Sequence, residues 1–186
     1  GMSPILDDNV SVHLQYANKE NVFNTKLYTD FDKAFLTELA YFKLVKAAEL
    51  LEEKYPNYRL LVLDALRPYE IQKLIWDAYS GADKPKYIAS PEKDSMHNYG
   101  MAVDVLILEI SEEPGDANTI LDFGCSYDEF SEKAGMKYAN LSSKQKKNRD
   151  ILSAIMTEAS FIPYDNEFWH FEAMDKSWVR ENCERF

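Results

Sequence analysis

Three short segments of this 186-residue chain hold residue types whose spacing suits a single piece of chemistry. The first is S-M-H-N-Y-G-M-A-V-D, from Ser95 to Asp104. His97 offers an imidazole nitrogen and Asp104 a carboxylate oxygen, both ordinary zinc ligands. Gly100 between them permits a sharp turn or a close backbone approach. Asp104 sits in the apolar run M-A-V-D-V-L-I-L, where a carboxylate is costly unless it is paired or metal-bound. Ala102, two residues earlier, points the same way in a strand and leaves open space beside it. The second segment is E-F-W-H-F, in which His170 supplies a third ligand and Glu167 lies three residues before it. Three protein ligands plus one open position describe a catalytic zinc, which brings the pKa of a bound water toward about 7. Glu167 then takes the water's proton and later passes it to a leaving amine. The third segment is L-D-A-L-R-P-Y, which puts Arg67 between a buried strand and a helix start, placed to stabilise an oxyanion.

Taken singly, each segment also has an ordinary structural reading: a histidine satisfied in the core, a buried hydrogen-bonding aspartate, an Arg-Pro capping junction. His13 stays with that reading. Taken together, the segments complement one another as metal, base and oxyanion partner.

These groups must be positioned by a scaffold. Asp30 or Asp32 caps a helix predicted over 31–54, with Phe35, Leu39, Phe42, Val45 and Leu51 recurring at helical spacing. Arg59 to Asp64 reads as a buried strand, and Pro68 suits the first turn of a helix over 69–79 that Gly81 ends. Residues 82–99 have loop character, Met101 to Leu108 is a second apolar strand, and 111–118 is turn-rich. A short helix is expected near 128–134. Ser142 or Ser143 caps a helix through about Ala159 that buries Ile151, Leu152, Ile155 and Met156, and Phe168 to Phe171 is strand-like. A few non-alternating strands among helices make this an α+β fold, with a small, mainly antiparallel sheet carrying the metal site. The length fits one domain over 1–186, with Gly1 before Met2 read as a remnant of cloning.

Composition narrows the partners. The chain has 32 acidic and 21 basic residues, for a net charge of −11. Such a balance argues against nucleic acid or an anionic membrane as the main partner, while leaving room for a local basic pocket. No apolar run approaches the roughly 18 residues of a membrane span. The start lacks the basic segment and apolar stretch of a secretory signal, so a cytoplasmic location is expected, or a periplasmic one if a signal was trimmed. Cys125 and Cys183 are too few for a disulfide scaffold; they read as reduced thiols, with a single bridge left open.

The motifs resemble those of the D-alanyl-D-alanine dipeptidases, the VanX type associated with vancomycin resistance. These belong to a wider group of zinc D,D-peptidases with an S-x-H-x-x-G-x-A-x-D motif and a later E-x-W-H motif. Ser95 to Asp104 and Glu167 to His170 match both at full spacing. The likeness extends to Y-A-N-K-E-N-V-F (Tyr16 to Phe23), to Asp64–Pro68, to F-G-C-S-Y-D (Phe123 to Asp128) and to Asn148-Arg149. The resemblance implies one zinc held by His97, Asp104 and His170, with Glu167 as general base and acid and Arg67 as the transition-state arginine. It also implies that Ser95, Tyr16 and Asp128 hold the two ends of the dipeptide, with Tyr16 and Asp128 at its ammonium. Read from residue type alone, Asp128 is also able to cap the short helix it precedes. Leu66, Phe123 and Cys125 depart from the family pattern at pocket-wall or supporting positions, and the 82–94 segment looks short, which predicts a more open mouth.

The leading expectation is a zinc dipeptidase acting on D-Ala-D-Ala or a close D,D-dipeptide. A D,D-carboxypeptidase or endopeptidase trimming peptidoglycan stems is the alternative within the same chemistry. A non-catalytic zinc-binding peptide sensor is the alternative of another class, against which Glu167 speaks, since a binder needs ligands but no base.

Overall fold

The computed structural model describes the whole chain except residues 30–32, 81–83 and 114. It is α+β. A mixed sheet runs in the order β2 (Val10–Val12), β4 (Tyr58–Asp64), β5 (Ala102–Glu109), β8 (Glu167–Glu172), β7 (Ile162–Tyr164), with β6 (Thr119–Ile120) pairing β5. Among the described residues only β2 and β4 run parallel; the other pairs are antiparallel, so the sheet is mainly antiparallel as expected. β1 (Met2–Pro4) and β3 (Phe35–Thr37) form a separate antiparallel ribbon.

Two long helices, α1 (Glu38–Lys54) and α4 (Ser143–Glu158), pack against each other and against the sheet. They cover the face that carries Leu60, Val62, Val103, Val105 and Ile107, all of them fully buried. Ser142 caps α4 through a reciprocal capping box with Gln145.

The expected helix over 31–54 is corrected at its start. Residues 35–37 are strand, Thr37 is the N-cap, and the helix proper begins at Glu38. The proposed caps Asp30 and Asp32 lie outside the described residues. Its buried face also differs. Ala40, Leu44, Ala47, Ala48 and Leu51 face inward, while Leu39 and Phe42 are 37% and 68% exposed. The alanines let the helix axis approach the sheet, so the larger side chains turn outward.

α2 (Tyr69–Ala78) follows β4 as expected, with Pro68 at its N-cap rather than inside its first turn; Gly81 lies outside the described residues. The 82–99 stretch contains a short helix α3 (Lys84–Tyr87) and a 3-10 turn at Met96–Tyr99. The helix expected near 128–134 is only a 3-10 turn at Glu132–Ala134, capped by Ser131. A last helix, α5 (Lys176–Asn182), is capped by Asp175. Among the described residues no helix is long and apolar enough to cross a membrane.

Candidate active site

The three sequence segments meet on the sheet face turned away from α1 and α4. His97 comes from the 3-10 turn before β5, Asp104 from β5 and His170 from β8. Asp104 and His170 are paired opposite each other across the two strands. The turn that aims His97 closes at Gly100, whose φ is +62°. A Cβ there would come within 2.7 Å of the Met2 side chain and 3.3 Å of the Thr37 nitrogen, so glycine is required by conformation and by space.

One distortion in each of two strands brings further groups to this face. Between Val62 and Asp64 the β4–β5 register slips, which turns Asp64 toward Asp104 instead of the helices. Between Pro163 and Tyr164 the β7–β8 register slips, so Glu167 and His170 both line the cavity despite an odd spacing that would separate them in a regular strand.

The donor set fits a metal ion. Asp104 Oδ1 lies 3.2 Å from His97 Nε2 and 3.0 Å from His170 Nδ1, and the two nitrogens are 3.2 Å apart. These atoms form one buried cluster of potential ligands. The far nitrogen of each ring faces an oxygen: His97 Nδ1 faces the Ala65 carbonyl at 2.7 Å, and His170 Nε2 faces Glu172 Oε1 at 3.2 Å. When those nitrogens donate, the inner ones present lone pairs beside a carboxylate, an arrangement that one cation satisfies. The field agrees. Burial opposes a charge on His170, yet its bonds with Asp104 and Glu172 raise its pKa to about 10. Asp104 is held well below the usual carboxylate range despite its burial, by His97 and His170. Its second oxygen accepts from Tyr127 Oη at 2.8 Å.

Around the cluster lies a cavity of about 220 Å³. Glu167 is buried in it, and burial, with Asp104 and Asp128 adding, raises its pKa to about 8. Arg67 also lines the cavity. Its Nε and Nη2 donate to Asp64 Oδ2 at 2.8 and 2.6 Å, and its Nη1 donates to Gln72 at 2.8 Å. Tyr28 donates to the other Asp64 oxygen at 2.6 Å. With three of five guanidinium N–H groups used, two remain to point elsewhere. Asp104 Oδ2 is 3.8 Å away, so the arginine stands next to the candidate ligand cluster.

In the wall of the same cavity, Tyr16 Oη donates to Asp128 Oδ2 at 2.6 Å. Asp128 is buried, and burial raises its pKa to about 7. Its φ is +57°, and no helix starts at it, which removes the capping alternative. The 122–135 segment that holds it is fastened by Arg149, which donates to the carbonyls of Phe123, Gly135 and Lys133 at 2.7, 3.0 and 2.8 Å. Ser95 lines the cavity and also caps the 3-10 turn, accepting from the His97 N–H.

All eight residues singled out from the sequence line this one cavity. His13 is elsewhere, beside Asn18. Leu66, Phe123 and Cys125 are not among the cavity-lining residues. Both cysteines are free and half-buried. Sequence reading missed Asp64, Gln72, Tyr127 and Glu172. Glu172 carried a signal, because it stands two residues after His170 and so on the same strand face.

Residues 3–185 match the family model Peptidase_M15, described as D-ala-D-ala dipeptidase. The chain is 29% identical over 172 residues to a D-alanyl-D-alanine dipeptidase of Escherichia coli (strain K12), covering 90% of this chain and 81% of the relative. It is 26% identical over 153 residues to a D-alanyl-D-alanine dipeptidase of Enterococcus faecium, covering 73% and 71%. A protein of the same description from Synechocystis is 24% identical over 181 residues, covering 77% and 70%.

Proposed function

The chain belongs to the D-Ala-D-Ala dipeptidase family of metallopeptidases, and we propose that it hydrolyses D-Ala-D-Ala or a close D,D-dipeptide with zinc as its metal. The observation that carries this reading is the junction of the His97–Asp104–His170 cluster with Glu167 in one small cavity that the Asp128–Tyr16 pair also lines. At about 220 Å³ the cavity is smaller than the usual drug-sized pocket of roughly 300–1,000 Å³, which suits a dipeptide.

His97, Asp104 and His170 would hold the zinc, which would supply Lewis acidity and an acidified water. Glu167 accepts the proton of the attacking water and returns it to the leaving amine. Its raised pKa suits both directions near neutral pH. Arg67, stiffened by Asp64 and Gln72, turns a remaining N–H toward the oxyanion of the tetrahedral intermediate. Asp128 takes the substrate ammonium on the oxygen that Tyr16 leaves over. Ser95, at the cap of the His97 turn, takes the carboxylate end.

A dipeptidase must read both charged termini, and this gives the test. The zinc-loaded protein is assayed on D-Ala-D-Ala, on N-acetyl-D-Ala-D-Ala and on a stem pentapeptide. A charge-assisted bond to an ammonium is worth about 1.5–3 kcal/mol. Free dipeptide should therefore win by about tenfold to a few hundredfold in kcat/KM. Equal or faster cleavage of the N-extended peptides would replace this reading with the stem-trimming one.

A further inference from the structure

The two candidate histidine ligands are supported unequally. His97 Nδ1 is hydrogen-bonded to the neutral Ala65 carbonyl at 2.7 Å, and the nearest carboxylate, Asp64 Oδ2, stands back at 4.0 Å, already occupied by Arg67. His170 Nε2 faces a charged partner, Glu172 Oε1, at 3.2 Å. Glu172 is only 5% exposed, and the Lys176 ammonium lies 3.1 Å from the same oxygen. Lys176 also stands over the Tyr164 ring, 4.6 Å from its centre, and that ring meets the His170 ring edge-on at 5.6 Å. Strand geometry builds this array. Glu172 follows His170 by two residues and shares its face, and its partner across β5 is the small Ala102, as Asp104 is the partner of His170.

A carboxylate with a lysine ammonium on its oxygen is ionised and accepts only. The hydrogen between Glu172 and His170 then belongs to Nε2, so in the neutral ring that would hold a metal the lone pair is on Nδ1, facing Asp104 and His97. We propose that Glu172, with Lys176 as its counter-ion, is a positioning residue that fixes His170 as an Nδ1 donor and sets the metal affinity of the site. This rests on the reading that His97, Asp104 and His170 hold a metal. The anionic partner would strengthen His170 as a donor, and the 172–176 turn into α5 would support the metal centre. Lys176 restrains the effect by sharing the Glu172 charge.

The test is zinc affinity, measured by competition with a chromophoric chelator in wild type, Glu172→Gln, Glu172→Leu and Lys176→Met. A second readout is exchange of the His170 Nε2 proton with solvent in the zinc-loaded protein, followed by NMR. Glu172→Gln keeps the shape and removes the charge, so it should fold even where the leucine variant does not. The expected result is a tenfold to hundredfold weaker zinc affinity in Glu172→Gln with faster Nε2 proton exchange. Lys176→Met should change affinity by a smaller factor. Wild-type affinity and exchange in Glu172→Gln would overturn the proposal while leaving the metal site standing. A wild-type protein that binds no zinc, or a His97→Ala variant that binds it as tightly, would bring down the metal reading itself, and the proposal with it.

Discussion

At the scale of single residues, His97 and Glu167 separate binding from chemistry. His97 is one of three candidate ligands in a buried cluster, so His97→Ala should strip most of the zinc from the purified protein, as read by metal analysis. Glu167 is in the cavity but outside that cluster. Glu167→Ala should keep the metal and lose turnover by about a hundredfold or more. Retained zinc in the first variant, or lost zinc in the second, would contradict the assignment. Asp128 supports a prediction about pH. Burial raises it to about 7, so it becomes neutral as pH falls through that value and gives up its hold on an ammonium. KM for D-Ala-D-Ala should rise as pH drops from 8 toward 6, and Asp128→Asn should start from a high KM and flatten the profile. A rise of equal size in the asparagine variant would assign the titration elsewhere. Asp104 stands out in the sequence because a carboxylate in an apolar run is expensive, and His97, His170 and Glu167 stand out by residue type and motif spacing; the structure brings all four to one cavity. Asp64 and Gln72 do not stand out, since nothing in L-D-A-L-R-P shows that the arginine needs two anchors.

At the scale of elements, β4, β5, β8, α2 and α4 announce themselves through long apolar runs or caps. The short strands β1, β2 and β3 do not. Phe35–Thr37 becomes strand only because Met2–Pro4 lies alongside it, a pairing invisible to any local window, and helical periodicity absorbed it into α1. The two register slips were equally hidden, because a bulge is a property of two strands together. Arg149 shows how an element without ligands governs the site. It sits on α4 and ties down the segment that carries Tyr127 and Asp128. Arg149→Met should leave three carbonyls short of a partner. At about 1 kcal/mol or more for each lost bond, stability should fall by roughly 3 kcal/mol in urea unfolding. Zinc content should stay near one per chain while KM for the dipeptide rises. An unchanged KM would show that the 122–135 segment holds its shape without the arginine.

At the scale of the whole molecule, the candidate metal cluster links parts of the chain far apart in sequence: the turn at His97, β5 and β8. A ligand that binds only the folded state adds about 2.7 kcal/mol at a hundredfold excess over its Kd. For a chain of this size roughly 2–4 °C accompanies each kcal/mol. Chelation should therefore lower the melting temperature by about 5–10 °C, and added zinc should restore it. No shift would mean that the native state gains nothing from the ion. The contacts of residues 180–186 have an effect of another kind. Phe186 donates its N–H to the Asn98 carbonyl and accepts from the Tyr69 N–H, Arg185 bonds Asp94, and Arg180 bonds the Lys93 carbonyl. Together they stitch the start of α2, the His97 turn and the lip of the cavity. Arg180, Arg185 and Phe186 all leave the ribosome after the eight candidate site residues. A nascent chain can thus hold those chemical groups while these bonds at the mouth of the cavity are not yet made.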